Sequence, residues 1–230
     1  GCNLSTMVGG GPLLRPGEIS LAHRGVLLLD EFPEFDRTSL EALRQPLEDR
    51  SITVAKLGGS VRYPAHCMLV ATANPCPCGY QGSRRGECIC NMMALNRYKH
   101  RLSGPLIDRL DLFATLDEID YKRLLRPPDG AAQTKLVQER ILAARQRQHA
   151  RNGGSTLNSN LTNAQLQNFV HLAPSAKALL NKHAKKQRFS ARAYLRIVRV
   201  AQTIADLEGA KSIGTEHISE AVNYRRRAAV

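Results

Sequence analysis

The sequence predicts an α/β fold with a parallel sheet in its first part, followed by an all-α part. Three observations lead to this prediction. Residues 26–29 are a continuous apolar run, Val-Leu-Leu-Leu, which fits a strand buried on both faces of a parallel sheet. Residues 67–71 form a second run of this kind. Beyond a proline- and glycine-rich segment at residues 126–130, the apolar residues recur with helical spacing.

The elements of the first part follow from local patterns. Residues 38–47 have helical spacing, and Pro46 predicts a break there because proline lacks the N–H that a helix interior needs. Residues 51–61 predict the main part of a hairpin, with a turn at Gly58-Gly59 and a return through Tyr63. A third strand is predicted at residues 110–114.

The second part predicts five helices, two of them with N-cap residues. Ser190 and Thr215 precede helical runs and can accept hydrogen bonds from free N–H groups of the first turn. The expected organisation is an α/β domain at residues 1–120, a linker at 121–133 and a helical domain at 134–230. The helices are expected at residues 134–151, 163–172, 175–187, 191–207 and 216–224.

The charge of the chain is concentrated in this helical part. Of the net charge of +13 over 230 residues, residues 1–116 contribute only 13 Lys and Arg against 11 Asp and Glu. An excess of this kind indicates a polyanionic partner such as nucleic acid, although a solvated helical surface has a similar composition. Trp is absent and aromatic residues make up 5% of the chain, which argues against base stacking as the main recognition mode.

No membrane span or signal peptide is recognised, so we expect a cytoplasmic protein. An N-terminal Gly1 instead of Met indicates a processed or partial chain.

Two acidic residues follow the first apolar run directly. Asp30 and Glu31 are expected at the carboxyl end of the strand, where open α/β sheets bind ligands. Asp30 could then hold Mg²⁺ beside nucleotide phosphates, and Glu31 could polarise the attacking water. A core strand followed by an acidic turn explains the same ten residues, Gly25 to Glu34, equally well.

Three further polar residues are candidates for the same site. Asn74 ends the second strand, which should lie beside the strand that precedes Asp30. Its amide could orient a water there, although Asn-Pro is also a common turn. Arg109 could approach a phosphate in a neighbouring subunit, or it could form an ion pair within the chain with Asp108 or Asp111. Arg192 begins a long helix, where an arginine is well placed for a phosphate and poorly placed for the helix dipole.

Four cysteines form two Cys-x-Cys units. Cys76, Cys78, Cys88 and Cys90 could hold Zn²⁺ tetrahedrally, because thiols in the cytosol stay reduced and paired units favour a metal over disulfides. Free or redox-active thiols are the alternative.

One expected motif does not occur in these 230 residues. No Gly-x-x-x-x-Gly-Lys-[Ser/Thr] phosphate loop is found, and Gly9-Gly10-Gly11 is followed by Pro12, which predicts a glycine turn.

Together these motifs resemble the AAA+ module of the magnesium-chelatase-like proteins, the YifB/ComM family. The resemblance covers nearly the whole chain. Its most specific segments are Leu28 to Phe35, Ala73 to Gly79 and Ser103 to Arg109.

The resemblance implies a partial AAA+ P-loop-type fold with a helical lid, and ATP and Mg²⁺ as cofactors. It also implies hexameric rings that act on DNA, as in branch migration during natural transformation. Asp30 and Glu31 match the Walker-B pair, Asn74 matches sensor 1, Arg109 resembles the arginine finger and Arg192 resembles sensor 2. The segment Val54 to Gly58 resembles the pre-sensor-1 hairpin of MCM helicases, which makes Lys56 a candidate DNA contact.

The family also carries an upstream Lon-like domain and a Walker-A loop that these residues lack. We therefore expect the 230 residues alone not to turn over ATP. A magnesium-chelatase ATPase subunit and a non-catalytic DNA-binding or assembly fragment are the alternative functions.

Overall fold

The computed structural model describes residues 4–101, 106–116, 118 and 130–225. The chain forms two compact units that meet in the sequence between Leu110 and Asp111. Most of the linker predicted at residues 121–133 lies outside the described residues. Within the described residues, no helix combines the length and the apolar composition that crossing a membrane requires.

The central element of the first unit is a pair of parallel strands. Strand β3 (Val26–Leu29) pairs with β6 (Met68–Ala71), with Leu29 opposite Ala71. The predicted pairing is therefore confirmed. The prediction that both faces are buried is wrong, because Leu27 and Leu29 are buried whereas Val26 and Leu28 are 53% and 61% exposed. The apolar pattern identified the strands, but it did not reveal that one face is uncovered.

A short helix and a glycine turn come before this pair. Helix α1 (Leu4–Val8) leads into strand β1 (Gly9–Gly10), which pairs antiparallel with β2 (Arg15–Pro16) before helix α2 (Glu18–Leu21). A Cβ atom on Gly9 would collide with the backbone carbonyl of Arg15, so only glycine fits this close approach. The predicted glycine turn is confirmed only at Gly11, because Gly9 and Gly10 lie in β1 and the turn runs over residues 11–14.

Two helices replace the single one predicted at residues 38–47. Helix α3 (Arg37–Ala42) begins at the N-cap Asp36, which accepts a hydrogen bond from the Ser39 N–H. Helix α4 (Arg44–Asp49) follows, and the break lies at Leu43. Pro46 is not the break, because it lies in the first turn of α4, where its missing N–H has no helical acceptor.

The predicted hairpin is confirmed. Strand β4 (Ser51–Lys56) pairs antiparallel with β5 (Gly59–Pro64), and Gly58 adopts a φ of +97° in the turn. Ile52 and Val54 are buried beneath it.

The first unit ends with a cysteine-containing loop, helix α5 (Met92–Arg101) and a 3₁₀ turn at Ile107–Arg109. The strand predicted at residues 110–114 does not form. Instead, the Phe113 N–H donates to the Tyr224 carbonyl at the end of the last helix of the second unit, at 2.8 Å. The Phe113 N–H therefore bonds to the carbonyl of a helical residue and not to a neighbouring strand.

The second unit consists of helices around one apolar core. Ser190 caps its helix as predicted, because its side chain accepts a hydrogen bond from the Ala193 N–H. Thr215 is not a preceding cap, since the last helix begins at Thr215 itself. The largest buried residues of this core include Leu180, Ile197 and Ile218. The helices are α6 (Gly130–Asn152), α7 (Asn163–Phe169), α8 (Pro174–Gln187), α9 (Ala191–Glu208) and α10 (Thr215–Arg225).

A buried ion pair ties α6 to α9. Asp206 is 1% exposed and accepts from both terminal nitrogens of Arg151, at 2.5 and 2.9 Å. Asn158 and Gln202 also donate to the Asp206 carboxylate. A buried carboxylate is tolerated because its oxygens are satisfied in this way.

Candidate active site

The candidate site lies at the carboxyl ends of the two parallel strands. Asp30 and Glu31 follow β3, and Thr72 follows β6 on the opposite side of the pair. The Thr72 hydroxyl donates to Oδ1 of Asp30 at 2.6 Å and accepts from the Glu31 N–H at 2.9 Å. The hydroxyl therefore holds both acidic residues at the same edge of the sheet.

The backbone at Glu31 turns sharply here. Glu31 adopts a left-handed conformation, with φ of 51° and ψ of 46°, which costs a residue with a Cβ about 1–2 kcal/mol. The Phe32 N–H donates to the Thr72 carbonyl at 2.9 Å, and the Phe32 side chain is buried. These contacts hold the turn in place, so that Asp30 and Glu31 both remain exposed at the strand end.

Asn74 shares a cavity with Glu31. The cavity has a volume of about 200 Å³, and Glu34, Cys76 and Tyr98 also line it. The predicted proximity of the two strand ends is therefore present in the fold. Asp30, Arg109 and Lys56 do not line this cavity.

Tyr98 of α5 fixes the backbone at Asn74. Its hydroxyl donates to the Asn74 carbonyl at 2.8 Å, and its side chain is 5% exposed. Desolvation, followed by the negative charge of Glu34, raises the pKa of Tyr98 to about 12. The phenol consequently remains a hydrogen-bond donor at neutral pH.

Arg109 forms an ion pair with an acid that lies far away in the sequence. Its Nη2 lies 2.6 Å from Oε1 of Glu48 in α4, and its side chain is only 9% exposed. In this conformation the guanidinium is engaged within its own unit.

Arg192 belongs to the second unit and occupies the second position of α9. Arg196 and Arg199 follow at intervals of four and three residues, which places the three arginines along one face of the helix. Burial lowers the pKa of Arg196, and the charges of Arg192 and Arg225 lower it further, against an opposing effect of Asp111. Arg196 lies 3.4 Å from Asp111.

Lys56 ends strand β4 beside the hairpin turn. Its Nζ donates to the Pro12 carbonyl at 2.7 Å, and the neighbouring Leu57 is fully exposed at the tip. The lysine therefore lies on an accessible hairpin, with its ammonium held by a backbone oxygen.

The four cysteines of the two Cys-x-Cys units lie together. Their sulfur atoms are all within 4.8 Å of one another, and this cluster could hold a metal ion. A hydrogen bond from the backbone N–H of Tyr80 lowers the pKa of Cys78 to about 6, whereas desolvation raises the pKa of Cys90 to about 12.

Sequence reasoning missed Thr72 and Tyr98 as site residues. Thr72 stands two positions before Asn74, directly after a predicted strand, so its place at the strand end was a usable signal. Tyr98 had no such signal, since its hydroxyl acts on a carbonyl 24 positions away.

Comparison with known proteins identifies the family. The model of the family described as magnesium chelatase, subunit ChlI, matches residues 2–124, and the model of the ChlI C-terminal region matches residues 131–225.

Individual relatives agree with these matches. The chain is 39% identical to the protein YifB of Salmonella typhimurium and 39% identical to the competence protein ComM of Haemophilus influenzae. Each match covers 97% of this chain and 43% of the relative, so the chain spans less than half the length of these curated relatives.

A more distant match reaches the replication proteins. The DNA replication licensing factor mcm-6 of Caenorhabditis briggsae is 29% identical over 45% of this chain and 12% of its own length. Because the two ChlI family models together match most of this chain, the chain belongs to the magnesium chelatase subunit ChlI family, an AAA+-like ATPase family.

Proposed function

We propose that these residues are the C-terminal part of a cytoplasmic, ring-forming AAA+ ATPase that couples ATP hydrolysis to movement along DNA or to branch migration. The arrangement of Asp30, Glu31, Thr72 and Asn74 at one edge of a parallel strand pair carries the proposal. In open α/β sheets this edge is the usual place for a bound ligand.

Each residue has a separate role in this proposal. Asp30 would hold Mg²⁺, since a carboxylate beside a hydroxyl suits a hard cation that prefers oxygen ligands. When bound, the ion would neutralise charge on the phosphates. Glu31 would accept a proton from the attacking water, and the Asn74 amide would orient that water in the shared cavity.

The phosphate-binding part of the site would come from outside these residues. Without a phosphate loop, the backbone amides and lysine that cradle a triphosphate are missing from the 230 residues. The exposed face of β3 and β6 supports this division, because parallel strands are ordinarily covered on both faces. The segment with the phosphate loop would cover Val26, Leu28 and Val70, and the isolated chain would not hydrolyse ATP.

A ring would complete the site with residues from neighbouring subunits. Arg109 would serve as the finger that approaches the phosphates of the adjacent subunit, and Arg192 would serve as sensor 2. Arg109 would have to leave Glu48 to do so, which makes the 2.6 Å ion pair a resting arrangement. Rings of six subunits are the proposed assembly.

DNA is the proposed partner. The basic second part of the chain supports it, as do relatives named as a competence protein and as DNA replication licensing factors. Lys56 would contact a phosphate from the accessible hairpin, in exchange for its hydrogen bond to the Pro12 carbonyl.

Glu31→Gln in the full-length protein tests the ATPase proposal. Loss of the carboxylate should stop hydrolysis while nucleotide binding, measured with a fluorescent ATP analogue, is retained. Turnover equal to that of the unaltered protein would reject the role of Glu31.

A magnesium-chelatase ATPase subunit is the second candidate, favoured by the description of both matching family models. Such a subunit acts on a metal-inserting partner, with no need for DNA. Binding to branched DNA that weakens steeply with salt would favour the first candidate, because phosphate contacts release counterions. No binding at low salt would favour the chelatase.

The isolated 230 residues provide the test of a third, non-catalytic candidate. Glu31-dependent hydrolysis by these residues alone would contradict the expected inactivity. DNA binding without hydrolysis, in both the fragment and the full-length protein, would instead indicate a binding or assembly module.

A further inference from the structure

No chemical step of the proposed ATPase uses the thiols of the four clustered cysteines, yet their geometry is specific. Cys76 Sγ lies 3.4 Å from Cys78 Sγ and 3.7 Å from Cys88 Sγ. Cys78 Sγ and Cys88 Sγ are also 3.7 Å apart, and Cys90 completes the group within 4.8 Å. We propose that Cys76, Cys78, Cys88 and Cys90 bind one Zn²⁺ ion as four thiolates, and that this ion fixes the turn that carries Asn74.

The distances fit one tetrahedral ion. In a tetrahedral zinc site, four sulfurs occupy the corners, each about 2.3 Å from the ion. Two such sulfurs lie about 3.8 Å from one another. The separations of 3.4 to 3.7 Å among Cys76, Cys78 and Cys88 are close to this edge length, and Cys90 lies within 4.8 Å of each of them. They are far longer than the S–S bond of a disulfide, which is about 2.0 Å.

The donor set also limits the choice of ion. Four thiolates in a tetrahedral arrangement are typical of zinc or iron, whereas magnesium and calcium prefer oxygen. An iron–sulfur cluster would hold its thiolates further apart, because iron and sulfide atoms lie between them. A single ion matches a compact loop whose free cysteines are close but not bonded, and zinc is the usual single ion in structural sites with four cysteines.

The backbone around the cluster supports a metal site. Cys76 is fully buried, and its sulfur accepts a hydrogen bond from the Gln81 N–H at 3.3 Å. Such N–H donors stabilise thiolates and orient them toward a metal. The Gly79 N–H donates to the Cys76 carbonyl, which closes the first turn. The intervening loop contains Arg84, Arg85 and Glu87, so it carries a net positive charge beside the four thiols in the sequence.

The ion would connect two parts of the candidate active site. Cys76 stands two residues after Asn74, and Cys90 stands two residues before helix α5. Tyr98 of α5 in turn donates to the Asn74 carbonyl. One ion would therefore join the segment after β6, which carries Asn74, to the start of α5. The hydrogen bond from Tyr98 joins α5 to Asn74 a second time. This positioning effect rests on the proposed ATPase function, whereas zinc binding does not.

Metal analysis of the full-length protein tests the binding itself. We expect about one zinc per chain in protein purified under reducing conditions without chelator, and a clear loss in Cys90→Ser. Cys67→Ser is the matched control, since Cys67 lies on the same unit outside the cluster and should leave the zinc content unchanged. Less than about half an equivalent of zinc in the unaltered protein, or iron in its place, would overturn the proposal.

Cobalt substitution provides a measurement that does not depend on how a variant folds. Co²⁺ added to the metal-depleted protein should give the intense absorption of tetrahedral thiolate coordination, and Zn²⁺ should displace it. Weak absorption typical of octahedral oxygen ligands would contradict a site with four cysteines.

The positioning effect has its own readout. Zinc removal should lower ATP hydrolysis while the binding of a fluorescent ATP analogue changes little, and added Zn²⁺ should restore turnover. If zinc binds but its removal leaves hydrolysis unchanged, the link to Asn74 is wrong. If the protein binds zinc and never hydrolyses ATP, the proposed function fails while the metal site stands.

Discussion

The Thr72 hydroxyl and the Asp30 carboxylate are joined across the parallel strand pair by a hydrogen bond of 2.6 Å. The same hydroxyl accepts from the Glu31 N–H, so one side chain directly after β6 orients both acids that follow β3. A strained turn at Glu31 is kept in place by these bonds and by the buried Phe32. Thr72 thus acts on the candidate catalytic acids from the neighbouring strand, as a positioning residue.

Thr72→Val in the full-length protein tests this relationship. Valine keeps the shape of threonine but removes the hydroxyl, so Asp30 loses a donor and the Glu31 N–H loses its acceptor. A hydrogen bond to a charged group is worth about 1.5–3 kcal/mol, so we expect ATP hydrolysis to fall about 10- to 100-fold. Steady-state hydrolysis and nucleotide affinity should be measured together.

Thr72→Ser is the matched control, because serine keeps the hydroxyl and should retain most of the activity. A Thr72→Val protein with ordinary turnover would show that the bond has no role in positioning. A loss of nucleotide affinity as large as the loss of turnover would point to a general disruption of the site.

Arg109 and Glu31 can be tested for action across a subunit boundary. Arg109→Ala and Glu31→Gln should each abolish hydrolysis. When the two variants are mixed into one ring, some sites combine an intact Glu31 with an intact Arg109 from the neighbour. We therefore expect hydrolysis to reappear on mixing, with a maximum at intermediate ratios.

The ion pair between Arg109 and Glu48 offers the competing explanation. If Arg109 only stabilises its own unit, mixing restores nothing, and Glu48→Ala lowers stability as much as Arg109→Ala does. Thermal denaturation of the three variants separates the two outcomes.

Lys56 provides a test of the DNA contact. Removal of one phosphate contact lowers the slope of log affinity against log salt by about 0.7–0.9. We expect this change in Lys56→Ala, together with a severalfold weaker affinity at low salt, in a titration of branched DNA. Lys99→Ala is the control, since Lys99 is the other lysine of the first unit and lies on helix α5. An equal effect of both substitutions would indicate nonspecific charge.

Local patterns predicted much of this fold. The strand pair, the hairpin and the capped helix after Ser190 follow from periodicity, turn glycines and a capping side chain, all of which act over a few residues. The clustering of the four cysteines was also accessible, because the spacing of two Cys-x-Cys units already favours a shared ligand.

Features that depend on distant partners were not accessible in this way. The segment around Phe113 looks like a strand, but its N–H pairs with Tyr224 more than one hundred positions away. Arg109 has acids beside it in the sequence, but Glu48 pairs with it from 61 positions away. The exposed face of β3 depends on what covers the sheet, which four apolar residues do not encode.

The buried pair of Asp206 and Arg151 makes a prediction about stability. Asp206→Ala would remove a buried acceptor that Arg151 and the amides of Asn158 and Gln202 share. Breaking such a pair from one side costs about 3–5 kcal/mol in the free energy of unfolding. Urea denaturation of the 230-residue chain, followed by the circular dichroism of its helices, measures this loss.

An exposed ion pair in the same chain is the comparison. Arg37 and Glu41 are 2.9 Å apart but 91% and 52% exposed, so water and salt screen their attraction. We expect Glu41→Ala to cost no more than about 1 kcal/mol. Because both substitutions remove a carboxylate that is paired with arginine, a similar cost for both would mean that burial of Asp206 adds nothing. If Asp206→Ala lowers the free energy of unfolding several times more than Glu41→Ala does, the buried hydrogen-bond network that joins α6 to α9 accounts for the difference.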